Sequence, residues 1–236
     1  MSLSSGTGPF RCALIGADTL LTECSDLLLQ RGHDVVAIVA GSTRIAAWAH
    51  AHDLTVFDAD VRDDVWIDQL QPLGIDYLFA VTHLRMLPAA AIALPARMAI
   101  NFHDGPLPDY PGLNTPVWGL LNGENEWAVT WHLITEAVDA GDILIERRFQ
   151  LSPRETSLSL NTSIVEQAID SFSELIDRLT DDTAVVMPQP STPRKVYRRV
   201  DRPDAFGVLD WAAPAQSLDR LVRALHFGPH PNPVGS

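Results

Sequence analysis

The chain has 236 residues, 46% of them hydrophobic and 20% charged, enough to bury one good domain and part of a second. A formal net charge of −13, without a basic block, argues against nucleic acid as a partner, because that binding draws on neutralised phosphates. No apolar run reaches the roughly 18 residues that a membrane span needs, and the start MSLSSGTG reads as a flexible leader over residues 1–8 and not as a secretory signal. Two cysteines, Cys12 and Cys24, form neither a disulfide framework nor a metal-ligand spacing. The expected compartment is the reducing cytoplasm, with Cys12 a core residue and no bound metal.

Strands and helices alternate through the first third. Phe10 to Ile15 reads as a buried strand ending at Gly16, followed by a helix from Leu20 to Gln30 that Asp18 or Thr19 can cap and Gly32 stops. A β-branched strand, Asp34 to Ala40, precedes a helix over Thr43 to His52, a short strand Thr55-Val56-Phe57 and a helix over Val61 to Leu70. Ile75 to Val81 reads as a central strand. This alternation implies a parallel sheet with helices on both faces. Only Gly16 stands where a dinucleotide fingerprint needs three glycines, so that reading fails and Gly16 is assigned to a turn.

The central strand runs into Thr82 to Pro88, and the ends of strands are where ligands bind in open α/β sheets. Met98 to His103 (MAINFH) is an apolar strand that ends on polar groups, with Asn101 and His103 two residues apart and so on one face. The run Gly105-Pro106-Leu107-Pro108, with Pro111 and Gly112, bars a helix until about Asn114, which opens a helix to Leu121. Ala128 to Ile134 and Ile143 to Leu151 read as an antiparallel hairpin added to the parallel sheet, joined by the loop Val138 to Asp142. A long helix from Thr156 to Leu179 follows. Met187 to Pro193, with three prolines, reads as a linker between a catalytic domain over residues 9–186 and a C-terminal subdomain over 194–236. Ser217 to Ala224 has helical period there. So short a segment must pack on the first domain or on further chain.

An amide, an imidazole and a carboxylate at strand ends form a candidate catalytic cluster. Asn101, His103 and Asp142, with the retained Leu107-Pro108, resemble the Asn-x-His, Leu-Pro and Asp-x-Gly-Asp motifs of the folate-dependent formyltransferase family. The variant HDGPLPDYPG, with Gly105-Pro106 in place of the family's Ser-Leu, is most similar to formyltransferase domains of nonribosomal peptide synthetases. The likeness is weak from Phe10, strong from Leu84 to Leu151, and returns at Val208-Leu209-Asp210-Trp211.

The resemblance implies a Rossmann-like, mostly parallel sheet carrying a truncated C-terminal subdomain inside a longer polypeptide. It implies a formyl transfer from 10-formyltetrahydrofolate to an amine. Asn101 and His103 would serve the oxyanion and Asp142 would steady His103 and move the amine proton. Arg85, Leu87, Ile92, Val138 and Asp139 would hold the folate. His132 is a further candidate, and Asp104, His83 and Asn114 are weaker ones. The implied acceptor is an aminoacyl group on a carrier protein, with Arg194 to Arg202 as a docking surface toward it. Two alternatives stay open: a non-catalytic docking domain that keeps the fold, and a sugar-nucleotide N-formyltransferase.

Overall fold

A computed structural model describes residues 7–59, 65–190, 194–232 and 234. Seven strands form one sheet in the order β3-β2-β1-β4-β5-β6-β7. They are β1 (Arg11–Gly16), β2 (Asp34–Val39), β3 (Thr55–Phe57), β4 (Tyr77–Val81), β5 (Met98–His103), β6 (Glu126–Leu133) and β7 (Ile143–Gln150). The first five strands run parallel. β6 pairs antiparallel with both β5 and β7, so the expected hairpin is present. Helices are α1 (Asp18–Gln30), α2 (Thr43–Ala51), α3 (Val65–Leu70), α4 (Ala89–Ile92), α5 (Thr115–Asn122), α6 (Ser157–Thr180) and α7 (Ala215–Leu225).

The period-two alternation of the strands divides the core into two layers. Cys12 and Leu14 of β1, Tyr77 and Phe79 of β4, and Trp127, Val129 and Trp131 of β6 belong to the larger cluster, packed by α1, α2 and α6. Ala13, Ile15, Leu78, Ala80 and Ala99 belong to the smaller one, covered by the short α3 and α4. Asn101 and His103 continue the Ala99 face of β5, and His132 alternates with the buried tryptophans of β6. The polar residues therefore lie on the face whose helices are short, which leaves room for a cavity at the strand ends.

Several element ends differ from expectation for local reasons. α1 begins at Asp18 behind Ala17 with no side-chain cap, so neither Asp18 nor Thr19 plays that part. Thr156 does cap α6, in a reciprocal capping box with Ser159. Residues 61–64 of the helix expected from Val61 lie outside the described residues, and α3 covers Val65 onward. Gly16 is the last residue of β1 and pairs with Val81, so it belongs to the sheet and not to a free turn.

Part of the expected linker is tied into the sheet: Met187 exchanges backbone hydrogen bonds with Ile143, both at 2.8 Å. Residues 191–193 lie outside the described residues. The C-terminal segment packs on the first domain. Arg223 Nη1 donates to the Glu155 carbonyl at 2.8 Å, and Tyr197 stacks on Trp118 and Tyr110.

Candidate active site

His103 is 4% exposed and fixed at both edges of its ring. Its Nε2 lies 2.6 Å from the Tyr110 carbonyl, which only an Nε2–H can satisfy, so Nδ1 is turned toward the carboxylates of Asp139 (3.7 Å) and Asp104 (3.9 Å). The proline-rich loop supplies that carbonyl and is itself held in place. Thr130 Oγ1 donates to the Gly105 carbonyl at 2.8 Å, and Trp127 Nε1 donates to the Asp104 carbonyl at 2.8 Å. A Cβ on Gly105 would stand 2.8 Å from Thr115 Oγ1 and 3.2 Å from His103 Nε2. The glycine there is thus matched to the buried imidazole beneath it.

Antiparallel register places His132 directly opposite Asn101, with Asn101 Nδ2 3.1 Å from His132 Nε2. His132 Nδ1 faces the Leu133 carbonyl at 2.8 Å, so Nδ1 carries a proton; Nε2 accepts from the Asn101 amide in the neutral ring and donates toward Asp139 in the charged one. His132 is 2% exposed and takes its place in the site beside Asn101.

The carboxylate at the centre is Asp139, and not Asp142. Asp139 Oδ1 lies 3.5 Å from His132 Nε2, Oδ2 lies 3.7 Å from His103 Nδ1, and the Gly112 N–H donates to Oδ2 at 2.7 Å. Burial opposes its ionisation. The charge of His103, the hydrogen bond and charge of His132, and the Gly112 N–H outweigh that cost and hold its carboxyl well below the usual range. Asp142 sits three residues on at the foot of β7. Its carbonyl accepts the Leu133 N–H at 2.9 Å, and it is not among the residues lining the cavity. The loop Asp139-Ala140-Gly141-Asp142 contains two aspartates, and the chain turns through Asp139, at φ 43°, so that the first one faces the histidines.

These side chains line a cavity of about 500 Å³. Thr82 to Leu87 form a wall whose Leu84 and Met86 are 60% and 52% exposed, an apolar surface open to the cavity. Arg85 and Leu87 line it as expected, as do Val138, His83, Asp104 and Asn114. Burial, and then the charge of Arg85, lowers the pKa of His83, while desolvation raises that of Asp104. Ile92 does not line the cavity. It ends α4 and packs against the smaller core cluster, because the helix turns that residue inward under the sheet.

The C-terminal segment closes another part of the wall. Tyr197 forms a parallel bridge with Gly112, and Val196 to Arg199 line the cavity, together with Asn161 of α6. Arg194 to Arg202 is therefore no uniform outward patch. Arg194 donates to the Val138 and Asp139 carbonyls, Lys195 lies over the Trp118 and Tyr197 rings, and Arg202 donates to the Arg199 carbonyl. Sequence reasoning had no signal for Asn161, Gln189, Arg194 or Tyr197 as parts of the site, since only the tertiary path brings them there. Among the described residues no group of three or more His, Cys, Asp or Glu could hold a metal ion, and no helix is long and apolar enough to cross a membrane.

An amide, two imidazoles and a carboxylate gathered at strand ends beside an apolar wall define an acid–base site on a doubly wound α/β sheet. Residues 25–176 match the family model described as Formyl transferase, and the chain belongs to that family. A methionyl-tRNA formyltransferase of Synechococcus sp. (strain JA-3-3Ab) is 30% identical over 182 residues, 77% of this chain and 56% of that protein. The chain thus spans little more than half the length of that curated relative. A 4-N formyltransferase from Francisella tularensis superposes with TM-score 0.79 at 17% identity, covering 94% of this chain and 90% of that one. An N-formyltransferase of Helicobacter canadensis, solved with folinic acid and dTDP-3-aminofucose, does so with TM-score 0.76 at 18% identity, covering 91% and 80%. HypX of Aquifex aeolicus, in complex with tetrahydrofolic acid, gives TM-score 0.70 at 20% identity over 93% of this chain and 35% of that one. At these identities the likeness is one of fold.

Proposed function

We propose that this chain transfers the formyl group of 10-formyltetrahydrofolate to an amine. The observation that carries the reading is Asp139 held between His103 and His132, with the Asn101 amide on the same wall. The amine nitrogen attacks the formyl carbon, the carbon–N10 bond breaks, the amine loses a proton and N10 gains one. Asn101 Nδ2 has a second N–H beyond the one facing His132, and it donates to the tetrahedral oxyanion; the His103 Nε2–H is taken by the Tyr110 carbonyl, so His103 joins it only through a proton on Nδ1. Asp139 is ionised and takes the proton released by the amine, directly or through one water. No covalent intermediate is needed. Leu84, Met86 and Leu87 offer the apolar surface for the folate ring, with Arg85 and Val138 beside it.

The acceptor we infer is an aminoacyl group tethered to a carrier protein. The net charge of −13 opposes approach by tRNA, and the loop HDGPLPDYPG is the variant similar to synthetase domains. Arg198 and Arg199 line the cavity, and among the described residues their side chains have no ion-pair partner. They suit the phosphodiester that joins a carrier protein to its thioester arm. Sugar nucleotides carry phosphate too, and the Helicobacter canadensis neighbour was solved with one, so an amino-sugar nucleotide is the competing acceptor. The test is incubation with 10-formyltetrahydrofolate and, in separate arms, an aminoacyl carrier protein, a dTDP-amino sugar and charged initiator tRNA. Mass spectrometry then reads the gain of one formyl group. Fastest transfer to the carrier-bound amine is expected. Faster transfer in another arm reassigns the acceptor, and no transfer in any arm favours a docking domain that keeps the fold.

A further inference from the structure

We propose that Arg194 and Gln189, both outside the polar cluster, are positioning residues that hold the Asp139 loop in its working conformation. The proposal rests on the formyl-transfer reading and adds to it that the site is completed by the segment following the catalytic domain. Arg194 Nη1 donates to the Asp139 carbonyl at 2.7 Å, and Nη2 donates to the Val138 carbonyl at 2.8 Å. Gln189 Nε2 donates to the Asp139 carbonyl at 3.0 Å and to the Gly141 carbonyl at 2.6 Å. Three loop carbonyls, at positions 138, 139 and 141, are thereby tied to the side chains of Gln189 and Arg194.

That fixation answers a local need. Asp139 has φ 43°, a left-handed conformation that a non-glycine residue holds only when its surroundings enforce it. Between Thr135 and Gly141 the loop makes no backbone pairing with a strand among the described residues, so its backbone has few other partners. A guanidinium fork on two adjacent carbonyls sets the peptide plane directly, and the peptide plane aims the carboxylate at His103 and His132. From the same stretch, Tyr197 holds Gly112, whose N–H reaches Asp139 Oδ2. Backbone and side chain of Asp139 are thus both set by Gln189, Arg194 and Tyr197. Misplacing a reacting group by about 1 Å can cost on the order of 10² in rate, so the effect of these contacts is kinetic as well as structural.

The experiment uses the full chain with Arg194→Ala, Arg194→Lys, Gln189→Ala, Asp139→Asn and the double variant Asp139→Asn/Arg194→Ala. Arg194→Ala is expected to lower kcat by about 10- to 100-fold, with a smaller loss of affinity for 5-formyltetrahydrofolate by calorimetry, because Val138 borders the folate surface. Guanidinium ion at low, non-denaturing concentration should restore part of that rate in Arg194→Ala and none in the double variant. Arg194→Lys should rescue only partly, because an ammonium lacks the planar fork. The double variant should be no slower than Asp139→Asn alone, since Arg194 acts only through Asp139. Additive losses, or a wild-type kcat in Arg194→Ala, would overturn the proposal.

A readout independent of turnover separates this inference from the activity itself. In Arg194→Ala the Asp139 carboxyl, followed by carbon NMR against pH, should move up toward the ordinary carboxylate range. If the wild type transfers no formyl group yet this shift occurs, the positioning role stands and the formyl-transfer reading falls. An Asp139 titration that is the same in both proteins ends the positioning role.

Discussion

Asn101 and His132 face one another across the β5–β6 ladder, with the amide nitrogen 3.1 Å from the imidazole Nε2. The same Nε2 lies 3.5 Å from Asp139 Oδ1, so one buried ring edge faces both groups, accepting from the amide when neutral and donating toward the carboxylate when charged. Replacing His132 by Ala should therefore release two groups at once. The expected loss in kcat is on the order of 10², close to that from removing a single oxyanion donor, with little change in folate affinity. Comparison of single-turnover rates with calorimetry on the same preparation checks it. A wild-type single-turnover rate in His132→Ala would reduce the ring to a packing residue.

The two aspartates of one loop give opposite expectations. Asp139→Asn removes the charge between the histidines and should cost about 10² to 10⁴ in rate, the usual range for a general acid–base group. Asp142→Asn should stay near the wild-type rate, because that side chain lies away from the cavity lining. Steady-state assays of the two variants, side by side, decide which carboxylate works. The reverse ranking would restore Asp142 to the role that the motif alone suggested.

That pair also marks where the sequence stopped being legible. Alternation along MAINFH and AVTWHL placed Asn101, His103 and His132 on strands, and the strands deliver them as the period demands. The parallel sheet and the added hairpin were readable for the same reason. The choice between Asp139 and Asp142 was not, because it depends on a left-handed turn at Asp139 and on contacts from residues 189 and 194. Ile92 was lost to a similar cause: the short helix α4 turns it into the core. The basic run after the prolines looked like a free surface because charge in a sequence does not reveal a carbonyl partner fifty-odd residues earlier.

Asp139 also makes stability depend on pH. Its carboxyl is held below the usual range in the folded chain, so its contribution is fully present above the unfolded-state value of roughly 3.9. It is lost as pH falls through the depressed folded value. Wild type should therefore exceed Asp139→Asn in stability most at neutral pH, and the gap should shrink as pH drops below about 4. Urea unfolding of both proteins across that window measures it. A gap that stays constant down to the acid limit would show that the histidines do not stabilise the charged carboxylate.

Gly112 joins the C-terminal segment to the carboxylate at a point with no room for a side chain. It sits at φ 108°, and a Cβ would lie 2.0 Å from the Tyr197 carbonyl oxygen. Gly112→Ala should cost about 1–3 kcal/mol from the strained backbone, and it should also loosen the Gly112 N–H from Asp139. Both a lower urea midpoint and a lower kcat are expected in the folded fraction. Unchanged stability would mean that the Gly112–Tyr197 bridge gives way freely.

The apolar wall offers the most direct test of where the folate lies. Leu84 and Met86 are more than half exposed, yet they project from a loop whose neighbour Leu87 is buried and anchored in the core. Exposed leucine and methionine on a loop beside a cavity give a flat ring system an apolar surface to cover. Burying such a side chain fully against a ligand is worth roughly 1.5–3 kcal/mol, so Leu84→Ser/Met86→Ser should weaken 5-formyltetrahydrofolate by about 10-fold or more. Fold and melting temperature should hold, because neither side chain is packed in the core. The rate at saturating folate should also change little, since Asn101, His103 and Asp139 are untouched. Calorimetry reads the affinity and a saturation curve separates KM from kcat. Unchanged folate affinity in a folded double variant would move the ring away from this wall and leave the acid–base cluster as the surviving part of the assignment.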